Sequence, residues 1–193
     1  MSLRAPPAAC VALVLLACAT RGGIAARAPE PGVHIDHYAV EGRTLDEIRR
    51  DVLAKGPRDA LGRRRAARTD WSLAWRYACR PGPSACHVTR LETSSSITIT
   101  LPSLRSAVPR HVHTQWQAFH DALADHEDGH RRITLACRDE LAQRLARVGP
   151  ARDCADLQQR VDAAGHAVDA ACRARHAAFD EQTEHGVKVG SLF

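Results

Sequence analysis

The chain has 193 residues, 45% of them hydrophobic, and a formal net charge of +5. That length suits a single domain with its own core. Residues 1–26 hold Arg4 and Arg21 and no acid, so the remainder carries +3, too small an excess to argue for a nucleic-acid partner.

The first 26 residues read as a signal peptide. Arg4 precedes an apolar run from Cys10 to Ala19, too short to span a bilayer but the right size for a signal core. Ala17-Cys18-Ala19 offers a small-residue cleavage site and Ile24-Ala25-Ala26 a later, looser one, so export should leave a chain beginning at Thr20 or Arg27. Leu15-Leu16-Ala17-Cys18 also resembles a lipobox with Cys18 as the lipidated residue, although Leu16 fits that pattern poorly. Ordinary export to the periplasm or the exterior is the expectation, and a lipoprotein anchored at Cys18 is its alternative. No other stretch is apolar enough to cross a membrane. Residues 27–32, with Pro29 and Pro31, read as a flexible leader, which leaves residues 33–193 as a single domain.

Val33 to Val40 alternates as a strand does. Thr44 followed by Glu47 forms a capping box, so a short helix should start there and stop at Gly56-Pro57. Gly62 to Arg68 reads as a loop, and its basic run, Arg63-Arg64-Arg65 with Arg68, as a solvated part of it. Trp71, Leu73, Trp75 and Tyr77 recur at a period of two, the pattern of a half-buried strand. After the turn Arg80-Pro-Gly-Pro83, Cys86 to Leu101 is rich in Thr, Val and Ile and predicts one long or two short strands, closed by Pro102.

From Pro109 the period becomes helical. Trp116, Phe119, Leu123, Ile133, Cys137, Leu141, Leu145 and Val148 mark one apolar stripe, which ends at Gly149-Pro150. A second helix should begin near Asp153, bury Leu157, Val161, Val168 and Cys172, and end before Gly186. Strands first and two long antiparallel helices after them predict an α+β fold.

Within the first long helix stands His126-Glu127-Asp128-Gly129-His130, an HExxH motif. Residues four apart on a helix share a face, so both imidazoles can hold one ion while Glu127 takes a proton from an activated water. His126 and His130 fall on the apolar stripe, so both rings point inward, where uncompensated polar groups are costly and a shared metal removes the cost. The competing interpretation is a pair of core histidines bonded to neighbouring carboxylates or carbonyls. A catalytic zinc site needs a third protein ligand, and no HExxHxxGxxH continuation follows. The candidates cluster at the end of the second long helix: His185 first, Asp180 second as ligand or as a group orienting one, and Glu184 third. A polar helix terminus capped by Gly186 is the alternative for that cluster. The remaining histidines, His34, His37, His87, His111, His113, His120, His166 and His176, show no ligand spacing with the motif and read mostly as surface groups.

Seven cysteines are present. Cys10 and Cys18 lie in the signal segment, leaving Cys79, Cys86, Cys137, Cys154 and Cys172. Export favours disulfides, and the odd number leaves at least one cysteine free or paired between molecules. The Pro-Gly-Pro turn could bring Cys79 to Cys86 across a hairpin, but the connectivity stays open.

These features together resemble Domain of Unknown Function family 922, described as predicted secreted bacterial zinc-dependent proteases. Tyr38-Ala-Val-Glu-Gly42 with Leu45 resembles its opening, and Thr69-Asp-Trp71 with Trp75 and Tyr77 its aromatic strand. Cys86-His-Val88 and Ile97-Thr-Ile-Thr-Leu-Pro102 resemble its second strand region. Trp116, Phe119 and His126 to His130 resemble its core motif, and Asp180, Thr183, His185 and Gly186 its YDxxTxHG tail, with Phe179 in place of the tyrosine. The resemblance implies a zincin-like domain holding one Zn²⁺ on His126, His130 and His185. Glu127 would be the base, and a peptide or protein the substrate. The strand Ile97, Thr98, Ile99, Thr100 and Leu101 could offer an open edge to an extended peptide. The rival reading is a non-catalytic cell-envelope module in which zinc is structural or vestigial.

Overall fold

The computed structural model describes residues 32–186. The signal segment, most of the leader and residues 187–193 lie outside the described residues. The elements run β1 (Val33–Val40), α1 (Leu45–Lys55), β2 (Arg68–Pro81), β3 (Cys86–Leu104), α2 (Arg110–Ala146) and α3 (Cys154–Thr183), an α+β chain with one three-stranded sheet and three helices. No described helix is long and apolar enough to cross a membrane.

The local signals act as expected. Thr44 Oγ1 accepts from the Glu47 amide at 3.3 Å, and the Glu47 carboxylate accepts from the Thr44 amide at 3.2 Å, a complete capping box at the start of α1. The period-two residues Trp71, Leu73, Trp75 and Tyr77 occupy the half-buried face of β2, with exposed residues between them. Asp153 caps α3, its side chain accepting from the Asp156 amide at 2.9 Å. Both strands of the hairpin outrun their expected bounds: β2 because its pairing runs from Arg68 opposite Thr100 to Pro81 opposite Cys86, and β3 because its pairing with β1 runs on to Leu104 opposite Val40. β3 passes through Pro102 rather than stopping there. Beyond Thr100 it has only β1 beside it, so a residue without an amide proton is tolerated.

The sheet order is β1-β3-β2, with β1 parallel and β2 antiparallel to β3. This corrects the expectation of an open edge at Ile97 to Leu101. Those five residues pair with Val33 to His37 on one side, and all but Leu101 pair with Arg68 to Trp71 on the other. They form the centre of the sheet, and its outer edges belong to β1 and β2.

Two apolar clusters hold the layers together. One joins the sheet and α1 to the first half of α2 through Val40, Ile48, Ile97, Leu101, Phe119 and Leu123. The other joins the far half of α2 to α3 through Leu141, Leu145, Leu157, Val161 and Val168, with Trp75 and Tyr77 of β2 packed on it. Burying one such leucine or isoleucine contributes on the order of 1.5–3 kcal/mol. Along α2 the stretch between the clusters holds buried polar residues: His126, Glu127, His130 and Thr134.

Two disulfides reinforce this frame. Cys86–Cys154 ties the start of β3 to the start of α3, and Cys137–Cys172 ties α2 to α3. Cys79 is free and exposed, so the hairpin pairing does not form. A register shift after Ala78 sets Cys79 opposite Val88, while Cys86 is buried where its backbone pairs with Ala151 just before α3.

Candidate metal centre

His126 and His130 lie one turn apart on the buried face of α2. Across from them, the buried row of α3 runs Leu157, Val161, Val168, Cys172 and His176, and one further turn along it is Asp180. His126 Nε2 and His130 Nε2 stand 3.3 Å and 3.1 Å from Asp180 Oδ1, and the three groups form a candidate metal-binding set. A tetrahedral ion with bonds of about 2.0–2.1 Å has ligand-to-ligand edges of about 3.3 Å. Two of those edges are therefore already present, and two imidazole nitrogens with a carboxylate oxygen are a donor set that zinc accepts.

The hydrogen bonds behind the histidines set their tautomers. Thr183 Oγ1 donates to the Phe179 carbonyl at 2.7 Å, so toward His126 Nδ1, 3.3 Å away, it accepts. His126 then carries its proton on Nδ1 and keeps Nε2 bare. Thr134 Oγ1 donates to the His130 carbonyl at 3.0 Å and so accepts from His176 Nε2 at 3.2 Å. That leaves His176 Nδ1 without a proton, and His130 Nδ1, 2.8 Å from it, donates. The two rings are only 12° from parallel, with centroids 5.0 Å apart. That separation is the nitrogen-to-nitrogen distance plus a ring radius on each side, so the rings lie edge to edge along an N–H···N bond rather than stacked. His130 Nε2 is bare as well. Two lone pairs and a carboxylate converge with no proton of their own to share, an arrangement that calls for a cation. Burial, reinforced by the neighbouring His130, pushes the His176 imidazole down to about 4, which keeps it neutral in this relay.

Glu127 is buried beside the first histidine. Thr69, at the start of β2, donates to its Oε2 at 2.6 Å. Burial pushes its carboxyl above the ordinary value against the opposing effect of that hydrogen bond. Gly129 fills the fourth place of the motif for a steric reason. A Cβ there would lie 2.3 Å from Phe179 Cζ, so only glycine admits the ring. Phe179 in turn lies flat on His126 at 5.0 Å and edge-on to His130 at 5.0 Å.

The structure thus brings His126, Glu127, His130 and Asp180 together. His185 stands just past α3, its side chain 57% exposed and its Nδ1 3.5 Å from the same Asp180 oxygen. Glu184 and His185 both adopt left-handed backbone, with φ of 50° and 53°, ahead of Gly186 at 89°. Two non-glycine residues held this way are a local strain of the kind that gathers at functional sites. Glu184, His185, Asp180, His126, Glu127 and His130 all line one cleft of about 620 Å³. Ile97 to Leu101 do not line it.

Sequence reading missed two residues of this site. His176 is not a surface group: it is buried, bonded to His130, and stacked on Trp71 at 4.5 Å. Its position one turn after Cys172 and one turn before Asp180 on the apolar row was the available signal. Thr69 left no local signal of its contact with Glu127.

A model of the family described as a bacterial protein of unknown function (DUF922) matches residues 35–186. No curated protein and no solved structure matches.

Proposed function

The chain belongs to that bacterial family, and from that membership and the geometry of the centre we propose that it is an exported zinc-dependent peptidase with a zincin-like site. One observation carries the reading: His126 Nε2, His130 Nε2 and Asp180 Oδ1 converge in an open cleft with the buried carboxylate of Glu127 one residue away. His126, His130 and Asp180 would hold the ion, and His185, with Nδ1 3.5 Å from the same Asp180 oxygen, is the further candidate ligand. Zn²⁺ held there supplies Lewis acidity that brings a water's pKa toward neutrality and polarises a carbonyl. Glu127 accepts that water's proton and returns it to the departing amine, while Thr69 keeps the carboxylate aimed into the cleft. Three protein ligands leave a fourth position for water or substrate, the pattern of a catalytic rather than a structural zinc. The two disulfides accord with export to an oxidising compartment. An extended peptide would lie along the outer edge of β2 near Thr69, since β3 is paired on both sides.

The test is a peptide-library digest by zinc-loaded wild type and Glu127→Gln, with metal analysis of both. The variant is expected to keep one zinc and its fold and to lose hydrolysis, because glutamine is nearly isosteric and cannot accept the proton. Turnover near wild type in Glu127→Gln removes Glu127 as the base, and a wild type that holds no zinc removes the site.

A further inference from the structure

The basic run that reads in sequence as a solvated loop is part of the cleft wall: Arg63, Arg64, Arg65 and Arg68 all line the same cleft as the histidines. We infer that this wall selects a carboxylate-bearing peptide, so that the substrate of the proposed peptidase site is acidic next to the bond attacked. The inference rests on the peptidase reading for its substrate class.

The loop is built rather than loose. Asp59 sits at its centre, with Oδ1 accepting the amides of Leu61 and Arg63 at 2.9 Å each and Oδ2 accepting Arg63 Nε at 2.9 Å and Arg65 Nε at 3.1 Å. One carboxylate therefore serves two guanidiniums. Arg64 takes another direction, back to the end of α1, where Nη1 donates to the Gly56 carbonyl at 2.6 Å. Its partners among the described residues are neutral carbonyls, so its charge is positioned but not cancelled. Arg68 bonds to the Arg58 carbonyl and to Asp70, and the next residue, Thr69, touches Glu127. The basic wall thus begins one residue from the group that handles the base. Leaving aside Glu127 and Asp180, which the metal centre uses, the cleft lining holds these four arginines against Asp59 and Glu184. A guanidinium fixed by one nitrogen and free at the others is suited to a second, charge-assisted bond to a carboxylate. That carboxylate has two sources in a peptide, an acidic side chain or the free C-terminus.

The experiment is equilibrium binding, read by fluorescence anisotropy on the zinc-loaded Glu127→Gln protein so that no cleavage intervenes. The probes are labelled peptides of one length: Glu-Gly, Gln-Gly and Lys-Gly repeats with amidated ends, and a Gln-Gly repeat with a free C-terminus. The Glu-Gly probe, the free-acid probe or both should bind at least about tenfold tighter than amidated Gln-Gly, the size of effect a charge-assisted hydrogen bond supplies. The preference should shrink as salt screens it. Which of the two gains identifies the source of the carboxylate. Arg64→Ala should remove most of the preference and Arg64→Lys should restore part of it, while the Asp59 bonds that fold the loop are untouched in both. Equal binding of all four probes overturns the inference, as does an Arg64→Ala protein with the full preference. Because binding is read without turnover, failure of peptide cleavage by the wild type would defeat the peptidase reading and leave this comparison to stand or fall alone.

Discussion

Gly129→Ala is the sharpest test of how the centre is assembled. The new methyl carbon would lie 2.3 Å from Phe179 Cζ and 2.7 Å from Cε1, whereas carbon atoms rest at about 3.5–4.0 Å. The ring must retreat by more than an ångström. It lies flat on His126 and edge-on to His130, so the retreat moves both imidazoles with it. Overpacking of this kind costs about 1–3 kcal/mol. Replacing a mid-helix glycine with alanine returns about 1 kcal/mol. The net is a loss of about 0–2 kcal/mol, or up to about 8 °C in Tm at this chain length. The larger effect should fall on zinc, whose affinity drops by about ten- to a hundredfold when the groups orienting its ligands shift. Urea unfolding of the metal-free protein reads the first quantity, and competition with a chelating dye the second. Phe179→Ala in the same chain removes the collision, so the double variant should be more stable than the sum of the single changes predicts, by about 1–3 kcal/mol of coupling. A Gly129→Ala protein that gains the helix-propensity increment and binds zinc as wild type does would refute the steric account.

The remaining predictions concern the ligands, the relay and the frame. His176→Ala should lower zinc affinity by about ten- to a hundredfold without touching the ion, since it removes the acceptor that fixes the His130 tautomer; isothermal titration reads the loss, and unchanged affinity would defeat the relay. Asp180→Ala should cost more zinc affinity than His185→Ala, measured as zinc retained after dialysis against a mild chelator, and the reverse order would make His185 the third ligand. Replacing Cys86 and Cys154 together by serine opens a link between positions 68 apart in sequence, which costs about 4 kcal/mol in the chain-entropy account. A denaturation midpoint that does not move would show that the link adds nothing to the apolar packing around it.

Local patterns carried the fold a long way, and the failures were nonlocal. The Thr44–Glu47 box, the alternation from Trp71 to Tyr77 and the stop at Gly149-Pro150 each act within a few residues, and each places an element where it is found. Whether Ile97 to Leu101 is an edge depends instead on a strand more than sixty residues earlier in the chain. Nothing in the composition of β3 reveals that Val33 to His37 will cover it. The free thiol at Cys79 has the same cause, because the partner of Cys86 is chosen by where α3 starts and not by the turn next to it.

The candidate metal centre divides along the same line. Its α2 half was legible because both imidazoles and the carboxylate sit within five residues on one helix. Its α3 half depends on helical phase. Cys172, His176 and Asp180 are spaced by four and share a face, while His185 lies beyond the helix end, so phase favours Asp180 even where residue type favours histidine. That phase is useful only if α3 is rotated correctly against α2. The Cys137–Cys172 disulfide clamps the two helices together one turn from His176 and two turns from His130. With Cys172 held against α2, the next turn must present His176 to His130 and the turn after it Asp180 to both histidines. The disulfide between the long helices therefore sets the registry that brings Asp180 to both histidines, and under the proposed zinc site its loss should lower zinc affinity as well as stability.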